Sequence, residues 1–157
     1  MTGDATPVWF VDLYVLRPQP AGWDVLVLRR APRARCTGAW EVVHGRVEPG
    51  ELPLAAALRE LGEETGLEPD RCYNLSRTES FYLHRTDELA IIPVFAAIVP
   101  ADRTVVLSPE HDRFEWLPLG QARARLAWPR ERRALEDLEV LLATGDAGPL
   151  EDVLRVR

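Results

Sequence analysis

The chain has 157 residues, 46% hydrophobic and 28% charged, so it is long enough for one domain with a sizeable core and has an ordinary globular composition. Its net charge of −6 argues against a nucleic acid polymer as partner, because binding a phosphate backbone requires a basic surface. All 19 basic residues are arginine, so guanidinium groups, backbone N–H groups or metal ions must supply any phosphate binding.

Two further features indicate where the protein works. Cys36 and Cys72 show neither metal-ligand spacing nor a C-x-x-C motif, which favours free thiols in a reducing compartment. The N-terminal stretch has no basic region of the kind that begins a signal peptide, and its apolar run over 8–16 is too short to cross a bilayer. We therefore expect a cytoplasmic protein that does not act at a membrane.

Hydrophobic patterning predicts strands in the first third of the chain. Residues 8–16 are apolar on both faces, which is typical of a buried strand, and residues 23–30 follow at the spacing of a hairpin. A short strand over 40–45 then enters a glycine-rich turn.

The period next becomes helical, with Pro53 in the first turn of the helix and Gly66 at its end. One side carries apolar residues and Thr65: Leu54, Ala57, Leu58, Leu61 and Thr65. Glu60, Glu63 and Glu64 lie on the opposite side at i, i+3 and i+4, where like charges repel by a few tenths of a kcal/mol for each pair. A divalent cation would convert this repulsion into shared coordination.

Three further strands are predicted downstream of the helix. Two of them cover residues 72–83 and 89–99, and Pro93 in the second indicates a sheet edge or a bulge. A last short strand is expected around 114–117.

The final third is predicted to be helical, with a short helix over 119–126 and a longer one from Pro129 to Gly145. We expect one domain over 1–145, and the pattern leaves the structure of 146–157 open. Mixed strands and helices of this kind predict an α/β fold in which helices cover both faces of a mixed central sheet, an α/β/α sandwich.

Residues 45–67 carry the most specific pattern in the chain. They read GRVEPGELPLAAALRELGEETGL and match G-x5-E-x7-R-E-U-x-E-E-x-G-U, where U is apolar. The matching residues are Gly45, Glu51, Arg59, Glu60, Leu61, Glu63, Glu64, Gly66 and Leu67. Here the chain closely resembles the Nudix hydrolases, whose Nudix box has this pattern. The chemistry agrees, because three carboxylates on one helical face form a hard, oxygen-rich site suited to Mg²⁺ or Mn²⁺.

The resemblance implies roles for the residues of the box. Glu60, Glu63 and Glu64 are the expected metal ligands, and Arg59 with Glu51 is expected to support them through salt bridges.

Two positions outside the helix complete the expected metal site. The resemblance implies that the backbone carbonyl of His44 ligates a metal, while its ring lines the substrate pocket or has a structural role. The stretch SPEHDRFEWLPL resembles bacterial dihydroneopterin triphosphate pyrophosphohydrolases and offers Glu110 as a further ligand or general base. Glu115 is the rival acid, but strand alternation places it on the other face. The general base stays open between Glu63 and Glu110.

Five residues are candidates for substrate binding. Arg29 and Arg30 end the second strand, where one of them would reach a phosphate unless both face solvent. Trp40, Phe81 and Tyr82 are candidates for stacking on a base or pterin ring, with core packing as the alternative.

The predicted function is cleavage of a nucleoside-triphosphate-like or pterin triphosphate substrate by an Mg²⁺- or Mn²⁺-dependent pyrophosphohydrolase. A diadenosine polyphosphate hydrolase is the alternative, because those enzymes carry a tyrosine near the position of Tyr82. ADP-ribose ranks lower, since residues 81–83 lack the proline typical of its hydrolases. A Nudix-fold nucleotide or metabolite sensor without turnover is a hypothesis from another class. The resemblance also makes a homodimer an option.

Overall fold

The computed structural model describes residues 8–157 and confirms a mixed sheet with helices on both faces. The first seven residues of the predicted domain lie outside this range. The strands are β1 (Phe10–Gln19), β2 (Gly22–Arg30), β3 (Trp40–Glu41), β4 (Val43–Arg46), β5 (Arg71–Leu83), β6 (Glu88–Ile98) and β7 (His111–Pro118). The helices are α1 (Pro53–Thr65), α2 (Leu119–Arg125), α3 (Pro129–Leu141) and α4 (Glu151–Leu154), preceded by a 3₁₀ turn at Gly148–Leu150.

Strand β1 lies at the centre of the sheet, whose main order is β3-β2-β1-β6-β5. Its partner on one side changes along its length: residues 10–13 pair with β4 and residues 16–19 pair with β2. On the other side β1 runs parallel to β6, while β7 pairs antiparallel with β2. The short strand β4, which contains the start of the Nudix box, is thereby held against the middle of the sheet.

Both faces of the central strand are buried, which is why its sequence reads as a continuous apolar run. Val11, Leu13 and Val15 pack with the apolar residues of α1, whereas Tyr14 and Leu16 pack with those of α3. Alternation along a strand with period two assigns these residues to opposite cores. The α/β/α sandwich expected from the sequence is confirmed.

Helix α1 has the ends that its sequence predicts. Leu52 is the N-cap, Pro53 occupies the first turn, and Gly66 adopts a left-handed conformation (φ 70°) while its N–H bonds the carbonyl of Gly62. Within the acidic side of α1, Glu64 is buried, whereas Glu63 is exposed. The segment before β7 covers this side of the helix, with Ser108 N–H bonding the Glu64 carbonyl at 3.3 Å.

Pro93 lies within β6, between β1 and β5, so it does not mark a sheet edge. The alternative prediction, a bulge, is confirmed in the partner strand, where the register shifts between Asn74 and Thr78 opposite Pro93. Ser76, inside this bulge, has a left-handed backbone (φ 52°). A bulge accommodates a proline that cannot donate a ladder hydrogen bond.

The segment 146–157 has a defined structure. After α4, the chain pairs with β5: the backbone N–H of Val156 bonds the Cys72 carbonyl at 2.9 Å, and Cys72 N–H bonds the Arg157 carbonyl at 3.0 Å. Leu154 is buried in the core on the α3 side. The C-terminal residues therefore cover the free edge of β5.

The structure also bears on the two cysteines and on membrane-spanning helices. Cys36 is exposed and Cys72 is buried, and both are free within residues 8–157. Over the same residues the structure contains no helix that is both long and apolar enough to cross a membrane.

Candidate functional site

Acidic side chains from α1 and from the loop before β7 meet at one place. Oxygens of Glu64 and Glu110 and a ring nitrogen of His111 all lie within 4.8 Å of one another. The loop is fixed by backbone hydrogen bonds, from Ala31 N–H to the Glu110 carbonyl (2.9 Å) and from His111 N–H to the Ser108 carbonyl (3.2 Å). This anchoring brings Glu110 next to a helix more than forty residues away in sequence.

We refer to Glu60, Glu63, Glu64 and Glu110 as the carboxylate cluster. Burial raises the pKa of Glu64 to about 9, and the negative charges of Glu60, Glu41 and Glu110 add to this rise. Burial also raises the pKa of Glu60, although hydrogen bonds from Arg59 oppose the effect. Burial is the main cause shared by both pKa shifts, and repulsion between neighbouring carboxylates adds to it.

The donor set fits a divalent cation. Glu64 is only 2% exposed, and its Oε2 is buried without a hydrogen-bond partner among the residues that the structure describes. A buried carboxylate oxygen of this kind is costly unless something satisfies it. Hard oxygen donors beside it are the ligands that Mg²⁺ and Mn²⁺ prefer.

Arg59 orders the outer part of the cluster. Its guanidinium binds both oxygens of Glu51 (2.9 and 3.0 Å), and it also donates to Glu60 at 2.9 Å, to Glu63 at 3.2 Å and to the Arg46 carbonyl at 2.9 Å. The hydrogen bonds from Arg59 are the main reason that the pKa of Glu51 falls to about 2. One planar fork therefore holds two acids of the cluster against the turn before α1.

Gly45 explains why the box begins with glycine. A Cβ at this position would overlap the side chain of Glu60. The absence of a side chain lets the carboxylate of Glu60 lie directly on β4.

A cleft of about 1060 Å³ is linked to the carboxylate cluster through Arg46, whose carbonyl binds Arg59, and through Glu41, which contacts His111. Its walls come from β4, the N-terminus of α3 and the tip of the β5–β6 hairpin. Guanidinium groups line it from five positions: Arg30, Arg35, Arg46, Arg85 and Arg130. Aromatic rings line it from four: Trp9, Phe10, Phe81 and Trp128. The cleft thus combines cationic and stacking surfaces.

Glu41 connects the cleft with the carboxylate cluster. It lines the cleft, accepts a hydrogen bond from Arg30 at 3.2 Å, and lies 2.9 Å from Nε2 of His111. Its charge also contributes to the raised pKa of Glu64. Glu41 has no local signal in the sequence, because a lone acid in a two-residue strand forms no pattern.

Of the two arginines predicted to bind substrate, Arg30 lines the cleft and Arg29 does not. Arg29 forms a bidentate pair with Asp112 (2.8 and 3.1 Å) on the surface. Residues 29 and 30 alternate across the strand, so only one of them can face the cleft.

The predicted stacking residues divide in the same way. Phe81 lines the cleft and meets Trp128 edge-on, with ring centroids 6.2 Å apart. Trp40 lies outside the lining and packs between the guanidinium groups of Arg113 and Arg125. Tyr82 is 55% exposed, lies outside the lining and donates its hydroxyl hydrogen to Asp87.

The ring of His44 lines the cleft and is held by a buried acid. Its Nδ1 lies 2.7 Å from Asp12 Oδ1, and the ring stacks on Phe10 with centroids 5.2 Å apart. Arg130 binds both oxygens of Asp12 (2.8 and 3.2 Å). Burial raises the pKa of Asp12, but the hydrogen bonds from His44 and Arg130 outweigh it and leave that pKa below its usual value. Asp12 is therefore ionised, and Nδ1 of His44 donates to it.

Asp12 and Arg130 were absent from the sequence-based site. The available signal was the charge of Asp12 inside an apolar strand, because a buried charge requires a partner. Nothing local identifies that partner, which lies 118 residues away in the chain.

Glu115, the rival of Glu110, points away from the cluster. Its carboxylate pairs with Arg113 at 3.1 Å and with Arg125 at 3.0 Å. The structure thus brings Glu110, and not Glu115, to the acids of α1.

Comparisons with known proteins agree with this geometry. Residues 9–138 match the model of the NUDIX domain. An octanoyltransferase of Myxococcus xanthus is 36% identical over 132 residues, which cover 83% of this chain and 36% of that protein. The asymmetrical bis(5'-nucleosyl)-tetraphosphatase of Rattus norvegicus is 37% identical over 97 residues, which cover 60% of this chain and 65% of the rat protein. The chain thus spans less than two thirds of the length of either relative.

A solved structure extends the comparison to the fold. The dihydroneopterin triphosphate pyrophosphohydrolase of E. coli superposes with a TM-score of 0.69 at 25% identity, covering 85% of this chain and 99% of the E. coli chain.

Proposed function

Because the chain belongs to the Nudix family, as the domain match over residues 9–138 establishes, we propose that it hydrolyses phosphoric anhydride bonds with the help of Mg²⁺ or Mn²⁺. The observation that carries the proposal is the carboxylate cluster, in which Glu64 and Glu110 meet beside a cleft lined by arginines. A site that pairs acidic ligands with cationic walls suits a cation-bridged phosphate chain.

We assign the metal-binding role to the four acids of the cluster, together with the backbone carbonyl of His44. When bound there, divalent cations would neutralise the pyrophosphate oxygens and polarise the phosphorus that is attacked. Arg59 and Glu51 position Glu60 and Glu63 and do not need to touch the substrate.

The proton of the attacking water goes to a carboxylate, either Glu63 or Glu110. Glu63 has a side chain that is 58% exposed and bonded to Arg59, whereas Glu110 lies on the loop opposite α1. The pH dependence of kcat in separate Glu63→Gln and Glu110→Gln variants distinguishes them. Both acids are also assigned as metal ligands, and only loss of the base removes the acidic limb of the pH profile.

The substrate we propose first is a nucleoside or pterin triphosphate. Arg30 and Arg130 in the cleft pair with Glu41 and Asp12, whereas the other three arginines of its lining have no carboxylate partner among residues 8–157. Arg35, Arg46 and Arg85 are therefore available for phosphate oxygens. Arg30 and Phe81 keep their predicted roles in phosphate binding and stacking. Arg29, Trp40 and Tyr82 lie outside the cleft, and we assign them no contact with this substrate.

A dinucleoside polyphosphate is the second candidate. The cleft contains two separate aromatic surfaces, the Phe10–His44 stack and the Phe81–Trp128 pair, which is what a substrate with two bases requires. The tetraphosphatase activity named for the rat relative is consistent with this arrangement.

A substrate panel tests the proposal. Purified protein with Mg²⁺ is incubated with dATP, dihydroneopterin triphosphate and diadenosine tetraphosphate, and the products are resolved by chromatography to obtain kcat/KM for each. The Glu64→Gln variant serves as the inactive comparison, and Glu136→Gln, on the exposed side of α3, serves as the matched control. Tight binding of a substrate without product release in the wild type would favour a sensor and refute the hydrolase.

A further inference from the structure

His111 is a buried histidine with one occupied and one free ring nitrogen. Its side chain is fully buried at the start of β7, and its Nε2 lies 2.9 Å from a carboxylate oxygen of Glu41. Within the described part of the chain, its Nδ1 has no hydrogen-bond partner. Leaving such an atom unsatisfied in the interior is unfavourable, so Nδ1 lacks a partner that this position requires.

Helix α1 holds a second buried atom without a hydrogen-bond partner among the described residues. Oε2 of Glu64 is buried and has no partner among residues 8–157, and a ring nitrogen of His111 lies within 4.8 Å of the carboxylates of Glu64 and Glu110. Two ligands on opposite sides of one ion, each bound at about 2.1 Å, are about 4.2 Å apart. The group therefore requires only a small adjustment of side chains to enclose one ion.

The hydrogen bond to Glu41 orients the His111 ring. Glu41 also accepts a hydrogen bond from Arg30, so it is held as a carboxylate acceptor beside the ring. In the neutral tautomer, Nε2–H donates to Glu41 and Nδ1 carries the lone pair that faces no other donor. A histidine that donates one ring N–H to a carboxylate and offers the other nitrogen to a metal is the usual arrangement of a metal-ligating imidazole.

We propose that His111, together with Glu64 and Glu110, forms a mixed nitrogen–oxygen position for a transition-metal ion within the carboxylate cluster. The inference deepens the proposed function, on whose cation-binding cluster it rests. Imidazole is a poor ligand for Mg²⁺ and a good one for Co²⁺, Zn²⁺ and Ni²⁺. This position therefore binds transition-metal ions in preference to Mg²⁺. Mg²⁺ is left to the positions that only oxygens surround.

The His111→Gln variant tests the role of Nδ1 while preserving the hydrogen bond that Nε2 makes. A glutamine amide reaches the position of Nε2 and keeps a donor for Glu41, but it offers nothing where Nδ1 was. Metal-free wild type and variant are titrated by calorimetry with Co²⁺ and, separately, with Mg²⁺. We expect the Co²⁺ affinity of the variant to fall at least about tenfold, because mutating even the groups that hydrogen-bond a metal ligand weakens metal binding by about that much. The Mg²⁺ affinity should stay within about twofold of the wild-type value.

A spectroscopic readout does not depend on affinity or turnover. Pulsed electron paramagnetic resonance of the Co²⁺-loaded wild type should show coupling to a directly bound ¹⁴N nucleus, and His111→Gln should lack it. If the variant does not fold by circular dichroism, the wild-type spectrum and a His111→Asn variant decide the question.

The outcomes keep this inference apart from the proposed function. Hydrolysis by a wild type that shows no nitrogen coupling overturns the role of His111 alone. Nitrogen coupling in a wild type that hydrolyses no substrate overturns the proposed function and supports the metal position. Equal losses of Co²⁺ and Mg²⁺ affinity in His111→Gln would show that the ring only supports the fold.

Discussion

Replacing Glu64 with glutamine should stabilise the metal-free protein, although it should abolish the response to Mg²⁺. The carboxyl is 2% exposed, one of its oxygens is unsatisfied among the described residues, and its pKa is raised to about 9 from an ordinary value of 4.5. Burial is the largest cause, followed by the charges of Glu60, Glu41 and Glu110. The folded state therefore disfavours the ionised form.

The sign of the effect follows from proton binding. Between pH 4.5 and about 9, the folded chain holds a proton on Glu64 that the unfolded chain has released, so the free energy of unfolding falls as pH rises. The slope is about 1.4 kcal/mol for each pH unit, which amounts to about 3 kcal/mol at pH 7. Glutamine is neutral at every pH, so the variant does not lose stability in this way as the pH rises. The gain for a chain of this size corresponds to roughly 6–12 °C in Tm at pH 7, and it should vanish near pH 4.5.

Mg²⁺ should reverse the order of the two proteins. The ion replaces the proton on Glu64 and stabilises the wild type by about 4.1 kcal/mol at a thousandfold excess over its Kd, which exceeds the advantage of the glutamine variant. The glutamine variant lacks the charged ligand and should change little.

Thermal unfolding at pH 5, 7 and 8.5, with EDTA or with Mg²⁺, measures both effects. Glu136→Gln, an exposed change of the same chemistry, provides the control and should track the wild type. A metal-free Glu64→Gln protein that is no more stable than the wild type at pH 7, or whose advantage does not grow with pH, would refute the electrostatic reasoning.

Three other substitutions test separate parts of the structure. Gly45→Ala should destabilise the protein by about 1–3 kcal/mol in denaturant unfolding and weaken Mg²⁺ binding, because its Cβ overlaps Glu60. Asp12→Asn should lower the free energy of unfolding by about 3 kcal/mol, since it leaves the guanidinium of Arg130 largely buried without its charged partner. Leu154→Ala should cost about 2–5 kcal/mol, measured in the same way, because this side chain fixes the C-terminal segment in the core.

Each of these changes has a matched control. Gly62→Ala, where an added Cβ meets nothing within 4 Å, should be neutral or slightly stabilising, so equal losses at both glycines would contradict the close-approach argument. Asp112→Asn removes an exposed, solvent-screened ion pair and should leave the free energy of unfolding nearly unchanged. Val153→Ala, at a position that is 74% exposed, should leave the free energy of unfolding nearly unchanged. If it lowered stability as much as Leu154→Ala, burial of Leu154 in the core would not be what fixes the C-terminal segment.

The elements with strong periodicity were predictable from the sequence. The apolar run that became β1 and the proline and glycine that delimit α1 each reflect local chemistry that packing did not override. The burial of Glu64 was not predictable, because helical periodicity groups it with Glu60 and Glu63, and only the segment before β7 covers it. Burial of a single helical residue depends on which distant loop lies over it.

The cleft was the least predictable part of the molecule. Its buried ion pair joins Asp12 in β1 to Arg130 in α3, and its stacking residue Trp128 precedes α3, so no single stretch of sequence contains the site. Trp40 and Tyr82 have the residue types expected for stacking, but strand geometry turns both away from the cleft. The homodimer and the cytoplasmic location stay predictions.

Anomalous scattering from crystals of the protein grown with Mn²⁺ and a non-hydrolysable nucleoside triphosphate tests the central claim most directly. The account predicts manganese peaks about 2.2 Å from the carboxylate oxygens of Glu60, Glu64 and Glu110, with phosphate oxygens of the nucleotide bound to the same ions. A nucleotide bound in the cleft with no manganese at the carboxylate cluster would contradict it.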